Sequence, residues 1–385
     1  MALAIKSKLP ASGLSIFARM TAAAIEFDAI NLAQGFPNFS PPTALFDFLL
    51  EACQNGFNQY APMPGHPALR KQIAKRLESD YFFKANADSE ITITAGATQA
   101  IYTLISAFIK PGDKAIIFEP AYDSYGPAII VNGGIPIYLK LELPNFKIPW
   151  DALEKVLKNE KIKLLLINNP HNPAGRILTS EDLERLYQLT KDLDILLIWD
   201  EVYDLLVFDS NKHQSALQHP GLMEYSGVVF SMGKTLHNTG WKIGYTIAKS
   251  NITQEIRKLH QFTVFSVNTP AQYAIARFME EQAIFFKTLP KFYEHKRDFF
   301  FEQMKHTTFE FLPCEGSYFA LANIEKLTDK SDLEYAMELV EKSRVAVIPI
   351  SAFYHDGFDP RMLRFCFAKT EDTILEAANR LGNRL

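Results

Sequence analysis

At 385 residues and 48% hydrophobic content, the chain is long for one average domain and can bury a large core, so one large and one smaller unit are expected. A net charge of −4 with no long block of one sign argues against nucleic acid or an anionic membrane surface as partner. The three cysteines (Cys53, Cys314, Cys366) are odd in number and not at metal-ligand spacing, which fits a reducing compartment and no disulfide framework.

The first stretch, "MALAIKSKLPASGLSIFARM", carries Lys6 and Lys8 without a continuous apolar run behind them. It reads as an N-terminal arm and not a signal peptide. No window approaches a membrane span, so a soluble, cytoplasmic protein is expected. Short apolar runs then follow: 90–94, 114–118, 135–139, 163–167, 194–199, 227–230 and 243–248. Most are apolar on consecutive positions, as strands buried on both faces are. Helical patterns separate several of them. "TSEDLERLYQLTKDL" (179–193) opens on Thr179 or Ser180 as N-cap. Alternating strands and helices predict an α/β fold with a mostly parallel sheet covered by helices.

After about residue 285 the text becomes aromatic and charged ("LPKFYEHKRDFFFEQM"). It then gives short strands ("SYFALANI", "AVIPI", "MLRFCFA") and a last helix. The expected organisation is an N-terminal arm with part of the small domain (1–40), a large domain (41–285) and a smaller α+β domain (286–385).

In open α/β sheets ligands bind beyond the carboxyl ends of the strands. Four runs here end on unusual polar residues: "TITAGAT", "LLINNPHNPAG", "LLIWDEVY" and "VVFSMGK". Each has a plain explanation. Gly96-Ala97-Thr98 can be an ordinary strand–helix turn, or an amide cradle for a phosphate. Asn172 can be a turn residue, or a donor into a site. Asp200 can be a helix cap, or a carboxylate needing a proton-bearing partner. Tyr203 can be a core aromatic, or a hydroxyl aimed at the same place. Lys234 and Lys242 can be solvated turn amines, or a nucleophile and an anion contact beside Ser231. Four such ends on one sheet favour a shared site. A phosphate cradle, an acid, a tyrosine, an asparagine and a reactive lysine together suit pyridoxal 5′-phosphate, with Lys234 for its aldehyde and Lys242 facing its phosphate.

The chain resembles the fold-type I, class I/II aminotransferases over nearly its whole length. The resemblance is carried by "NLAQGFPNFSPP", "NQYAPMPGHPALR", "TAGATQAIY", "EPAYDSY", "NNPHNPAG", "DEVY", "SMGKTLHNTGWKIGY" and "LRFCFAK", in the family's order. "NQYAPM", "SVNTPAQ" and "LPCEGSYF" resemble the methionine and kynurenine/glutamine branch in particular.

The resemblance implies a role for each matching residue. Lys234 would bind the cofactor and shuttle the proton. Asp200 would pair with the ring nitrogen, Tyr203 and Asn172 with the ring oxygen, and Tyr122 would stack on the ring. Ala97 and Thr98 amides, with the Ser231 and Lys242 side chains, would hold the phosphate. Tyr60 would reach the phosphate of a neighbouring subunit, making the active unit a homodimer. Arg364 would clamp the substrate carboxylate, with the Gly35 backbone and Asn172 beside it. Lys242 stands where some aspartate-type relatives use arginine, which weakens an aspartate-specific reading.

The implied activity is transfer of the amino group of methionine, an aromatic or another large amino acid to a 2-oxo acid. The apolar and aromatic Phe36, Phe39 and Tyr122 near the site fit such side chains. A carbon–sulfur β-lyase on the same scaffold is the nearest rival, and it would need no keto-acid acceptor. A non-enzymatic PLP-binding regulator would need an added DNA-binding module, for which a resemblance beginning near residue 13 leaves no room. A nicotinamide dehydrogenase would leave Lys234 unused and lacks G-x-G-x-x-G after the first strand.

Overall fold

A computed structural model describes residues 5–10 and 13–382. The seven apolar runs form seven strands: β1 (Ile91–Thr94), β2 (Lys114–Glu119), β3 (Ile135–Lys140), β4 (Ile162–Asn168), β5 (Leu196–Asp200), β6 (Ser226–Ser231) and β7 (Gly244–Ala248). They make one seven-stranded sheet in the order β1-β7-β6-β5-β4-β2-β3. Strand β7 pairs antiparallel with both neighbours, and the other pairings are parallel.

The consecutive apolar text follows from burial on both faces. Along β2, β4, β5 and β6, Ile116, Leu165, Leu197 and Val228 enter one core cluster. Their neighbours Ile117, Leu166, Ile198 and Val229 enter the cluster on the opposite face. Alternate side chains point to opposite faces of a strand, so a strand covered on both sides must be apolar throughout.

The helix predicted at 179–193 spans Ser180–Thr190, with Thr179 as N-cap and a reciprocal capping box to Asp182. Such a cap is worth about 1 kcal/mol. The helix stops short of 193 because Leu193 N–H turns back to the Thr190 carbonyl.

Beyond the large sheet, the helix Ala283–Met304 leads into a second, four-stranded antiparallel sheet. Its strands are β8 (Glu310–Phe311), β9 (Phe319–Asn323), β10 (Ile348–Pro349) and β11 (Met362–Cys366), in the order β10-β11-β9-β8. The run "AVIPI" therefore splits. Val345–Ala346 pairs in parallel with Ile30–Asn31, near the start of the described chain, and Ile348–Pro349 joins β11. The N-terminal segment is thus tied to the C-terminal third of the chain.

Because β7 runs opposite to β6, its amino end lies at the edge where β1, β4, β5 and β6 end. Lys242, just before β7, reaches that edge beside the turn after β1, which explains how two distant stretches of sequence share one place.

Candidate active site

A cavity of about 320 Å³ opens at this edge. All the expected site residues line it except Tyr60. Strand β11 of the small sheet adds Arg364, and the segment after Ile30–Asn31 adds Gln34 and Gly35.

Ser231 ends β6 and caps the one-turn helix Met232–Thr235, its hydroxyl accepting from Lys234 N–H at 3.3 Å. This turn sends Lys234 into the cavity. Its Nζ donates to the Gly35 carbonyl at 3.0 Å and to the Tyr318 hydroxyl at 2.9 Å. The Tyr318 hydroxyl in turn donates to the Gly35 carbonyl. Burial lowers the Lys234 pKa to about 8; the Arg364 and Lys242 charges act the same way, and Asp200 opposes them. An amine so placed is more often neutral, and hence nucleophilic, than a surface lysine.

Asp200 closes β5 and is buried. Tyr125 donates to its Oδ2 at 2.5 Å. Burial pushes its carboxyl up to about 6, against the Tyr125 and Val202 hydrogen bonds and the Lys234 charge. A carboxylate held this way favours a cationic or proton-bearing partner. Tyr203 is buried, with its pKa raised by burial. The Lys234 ammonium lies 5.6 Å from its ring centre.

The helix Ala97–Phe108 begins at the cavity behind Gly96, and no side chain caps it. Its first amides therefore face the cavity as donors. Gly96 has φ +79°, and a Cβ there would lie 3.2 Å from Lys242 Nζ. Lys242 makes no ion pair among the described residues. These amides, Ser231 and Lys242 form a donor set suited to a phosphate. Tyr122 lines the wall between this set and Arg364, with its pKa raised chiefly by burial.

Arg364 is 1% exposed. Nη1 donates to Asn172 Oδ1 at 2.9 Å and Nη2 to the Ala33 carbonyl at 2.7 Å. Its plane lies over the Phe319 ring, with Cζ 3.9 Å from the centroid. Its Nε is buried without a partner. Burial lowers its pKa to about 10, still far above neutrality. A buried guanidinium with spare N–H donors beside a cavity is built to receive an anion. Asn172 is held in turn by its N–H donating to Asn168 Oδ1 at 2.7 Å.

Tyr60 stands apart, 80% exposed, its ring 5.3 Å from that of Phe265. Of the aromatics expected near the site, Tyr122 lines the cavity but Phe36 and Phe39 do not; the Phe39 ring lies 4.8 Å from that of His237.

The chain belongs to the aminotransferase class I and II family. The family's model matches residues 28–381. The chain is 44% identical over 376 residues to a methionine aminotransferase of Escherichia coli K12, covering 98% of this chain and 97% of that protein. It is 32% identical over 409 residues to a kynurenine–oxoglutarate transaminase of Dictyostelium discoideum, covering 96% and 94%. The crystal structure of E. coli YbdL, described with a methionine aminotransferase function, superimposes with a TM-score of 0.96 at 43% identity over 99% of this chain and 100% of that one. This chain is therefore a transaminase with the fold of that family, an α/β sheet covered by helices plus a smaller antiparallel sheet. It transfers an amino group from an amino acid to a 2-oxo acid.

Sequence reasoning left Tyr125, Tyr318 and Asn168 unassigned. Tyr125 and Tyr318 sit inside motifs already singled out, "EPAYDSY" and "LPCEGSYF". Neither has a spacing that announces a partner 75 or 84 residues away.

Proposed function

We propose that this aminotransferase uses pyridoxal 5′-phosphate and prefers methionine or another large, apolar or aromatic amino donor. One observation carries the reading. A half-buried lysine of lowered pKa shares a cavity of about 320 Å³ with a buried carboxylate, an uncapped helix N-terminus and a buried arginine. The donor set fits the cofactor. Ala97 and Thr98 amides, Ser231 and Lys242 would hold its phosphate. Asp200 would face its ring nitrogen, Tyr203 and Asn172 its ring oxygen, and Tyr122 its face. Lys234 would bind its aldehyde.

Bound there, the cofactor supplies an electrophilic aldehyde and an electron-accepting ring. The chain's own residues do the rest. Arg364, steadied by Asn172 and Ala33, binds the substrate carboxylate and so orients the α-carbon. The Gly35 backbone closes the same end. Lys234 Nζ takes the α-proton and returns it, a task suited to an amine whose pKa is near 8. The Asp200 carboxylate holds positive charge at the back of the site.

The side-chain preference rests on the apolar and aromatic character of the segments around the cavity and on the methionine aminotransferase relative. The same proposal includes a homodimer in which Tyr60 reaches the neighbouring site, and the division into 1–40, 41–285 and 286–385, which the separation of the two sheets supports. A cytoplasmic location belongs with it. Among the described residues the cysteines are free, and no helix is long and apolar enough to cross a membrane.

A panel of amino donors, each offered several 2-oxo acids, tests the reading. Methionine and aromatic donors should lead, and turnover should require the acceptor. Acceptor-independent release of pyruvate and a thiol from a cysteine conjugate would replace it with β-lyase chemistry.

A further inference from the structure

Three cations lie around the substrate end of the site, Arg364 and Lys369 buried and Lys234 half-buried, and the proposed function uses only Arg364 and Lys234. The third, Lys369, follows β11 and is 3% exposed. Among the described residues its ammonium meets no carboxylate. Nζ donates instead to two backbone carbonyls, Phe36 at 2.8 Å and Gln34 at 3.4 Å, and lies 4.8 Å from the Phe36 ring centre. A lone charge is costly to bury, so these bonds should matter to something.

The two carbonyls flank Gly35, whose own carbonyl receives Lys234 Nζ and Tyr318 Oη. The neighbouring backbone is fastened to the same C-terminal stretch. Cys366 N–H donates to the Leu32 carbonyl at 2.8 Å, Arg364 donates to Ala33, and Thr370 N–H donates to Asn38 Oδ1 at 2.7 Å. Residues 32–38 thus form a strap laid along β11 and the turn after it. Among the described residues, Lys369 is the one side-chain cation that grips the strap on both sides of Gly35. Gly35 packs closely against the Phe319 ring, where a Cβ would lie only 2.7 Å away.

We propose that Lys369 is a positioning residue. It pins residues 34–36 so that Gly35 faces the cavity, and thereby shapes the place where the substrate carboxylate sits beside Arg364. This rests on the reading that Arg364 and Gly35 receive that carboxylate. It requires a cation with several donors, because two separate carbonyls must be satisfied at once; a methionine of similar length offers neither bond.

The test compares wild type with Lys369→Met and Lys369→Arg. Amide hydrogen exchange is followed on the cofactor-free protein, and steady-state kinetics on the holoenzyme. Lys369→Met should speed exchange in residues 32–38 about tenfold over the rest of the chain, as expected for lost hydrogen bonds to a charged group. KM should rise about tenfold for every amino donor and 2-oxo acid alike, whatever the side chain, with kcat within about twofold. Lys369→Arg, which can still bond both carbonyls, should recover most of both effects. If Lys369→Met does not fold, Lys369→Leu, which likewise offers neither bond, carries the same test. Unchanged exchange at 32–38, or a fall in kcat at constant KM, would overturn the proposal. So would a general loosening of the whole chain with KM kept. A wild type that transfers no amino group would sink the proposed function, while the exchange measurement would still decide whether Lys369 holds the strap.

Discussion

Tyr125 donates its hydroxyl to Asp200 Oδ2 at 2.5 Å, and both side chains are buried. The tyrosine begins the helix Tyr125–Val131, and the aspartate ends β5. The bond supports the carboxylate but does not offset its burial, since its pKa still stands at about 6 against an ordinary 3.8. The cofactor-free protein therefore carries an ionised group that the fold disfavours.

Replacing Asp200 by Asn should stabilise the cofactor-free protein at neutral pH while destroying activity. The sign follows from linkage. A folded-state pKa above the unfolded one means that the folded state binds more protons between the two values, so stability falls as pH rises through that window. Raising the pKa from 3.8 to about 6 corresponds to a cost of ~3 kcal/mol above pH 6. Thermal melts of both cofactor-free proteins check this. The mutant should melt higher at neutral pH, and the gain should fade as pH falls from about 6 towards 3.8. A mutant less stable at neutral pH would mean that other contacts in the fold stabilise the ionised Asp200.

Lys234 should react out of step with the other lysines. Its pKa is lowered to about 8 from 10.5, chiefly by burial. Competitive labelling of the cofactor-free protein with a small acylating reagent, mapped by mass spectrometry, should give Lys234 a midpoint near pH 8. With the cofactor added first, labelling should stop, and borohydride should fix the cofactor on residue 234. Fixation on another lysine would end the assignment.

Arg364→Lys keeps the charge but loses the planar fork that now bonds Asn172 and Ala33 at the same time. We expect kcat/KM to fall for all amino donors and all 2-oxo acids together, by about 2–5 kcal/mol of transition-state binding. Cofactor content should hardly change, because the residues proposed to hold it lie on the other sheet. A mutant that discriminated among side chains but treated the carboxylate normally would remove Arg364 from this role.

Much of this geometry was legible in the sequence because both-face burial forces uninterrupted apolar runs. Ile116 and Ile117 read as strand because each has a core to enter. The polar residues at the strand ends then had to converge, since parallel strands present their carboxyl ends together. Contacts between single residues on separate elements were not legible. Tyr318 against Lys234, Tyr125 against Asp200 and Lys369 against Gln34 and Phe36 depend on the docking of the second sheet and the N-terminal strap. No periodicity encodes that docking. The split of "AVIPI" belongs to the same class, because its first half pairs with Ile30–Asn31 across more than three hundred residues of chain.

Tyr60 carries the last prediction. It is 80% exposed, beside Phe265 at 46%, and it does not line the cavity of its own chain. Two large aromatic rings left open to water form an apolar patch of the kind that a partner covers. If a second copy covers it, Tyr60 can complete the neighbouring site, and no site is whole within one chain. Mixing tests this directly. Lys234→Ala subunits lack the reactive amine, and Tyr60→Ala subunits lack the donated hydroxyl, so each homodimer has two damaged sites. In a mixed dimer both lesions fall on one site, and the other receives Lys234 and Tyr60 intact. Mixing under conditions where subunit exchange is verified by native mass spectrometry should therefore restore activity well above the average of the two mutants. The gain should track the mixed fraction. Tyr60→Phe, which keeps the ring and loses only one hydrogen bond to a charged group, should weaken cofactor retention by about 1.5–3 kcal/mol without changing the oligomer. Proven exchange with no recovery would place Tyr60 within its own chain's function, or outside function altogether.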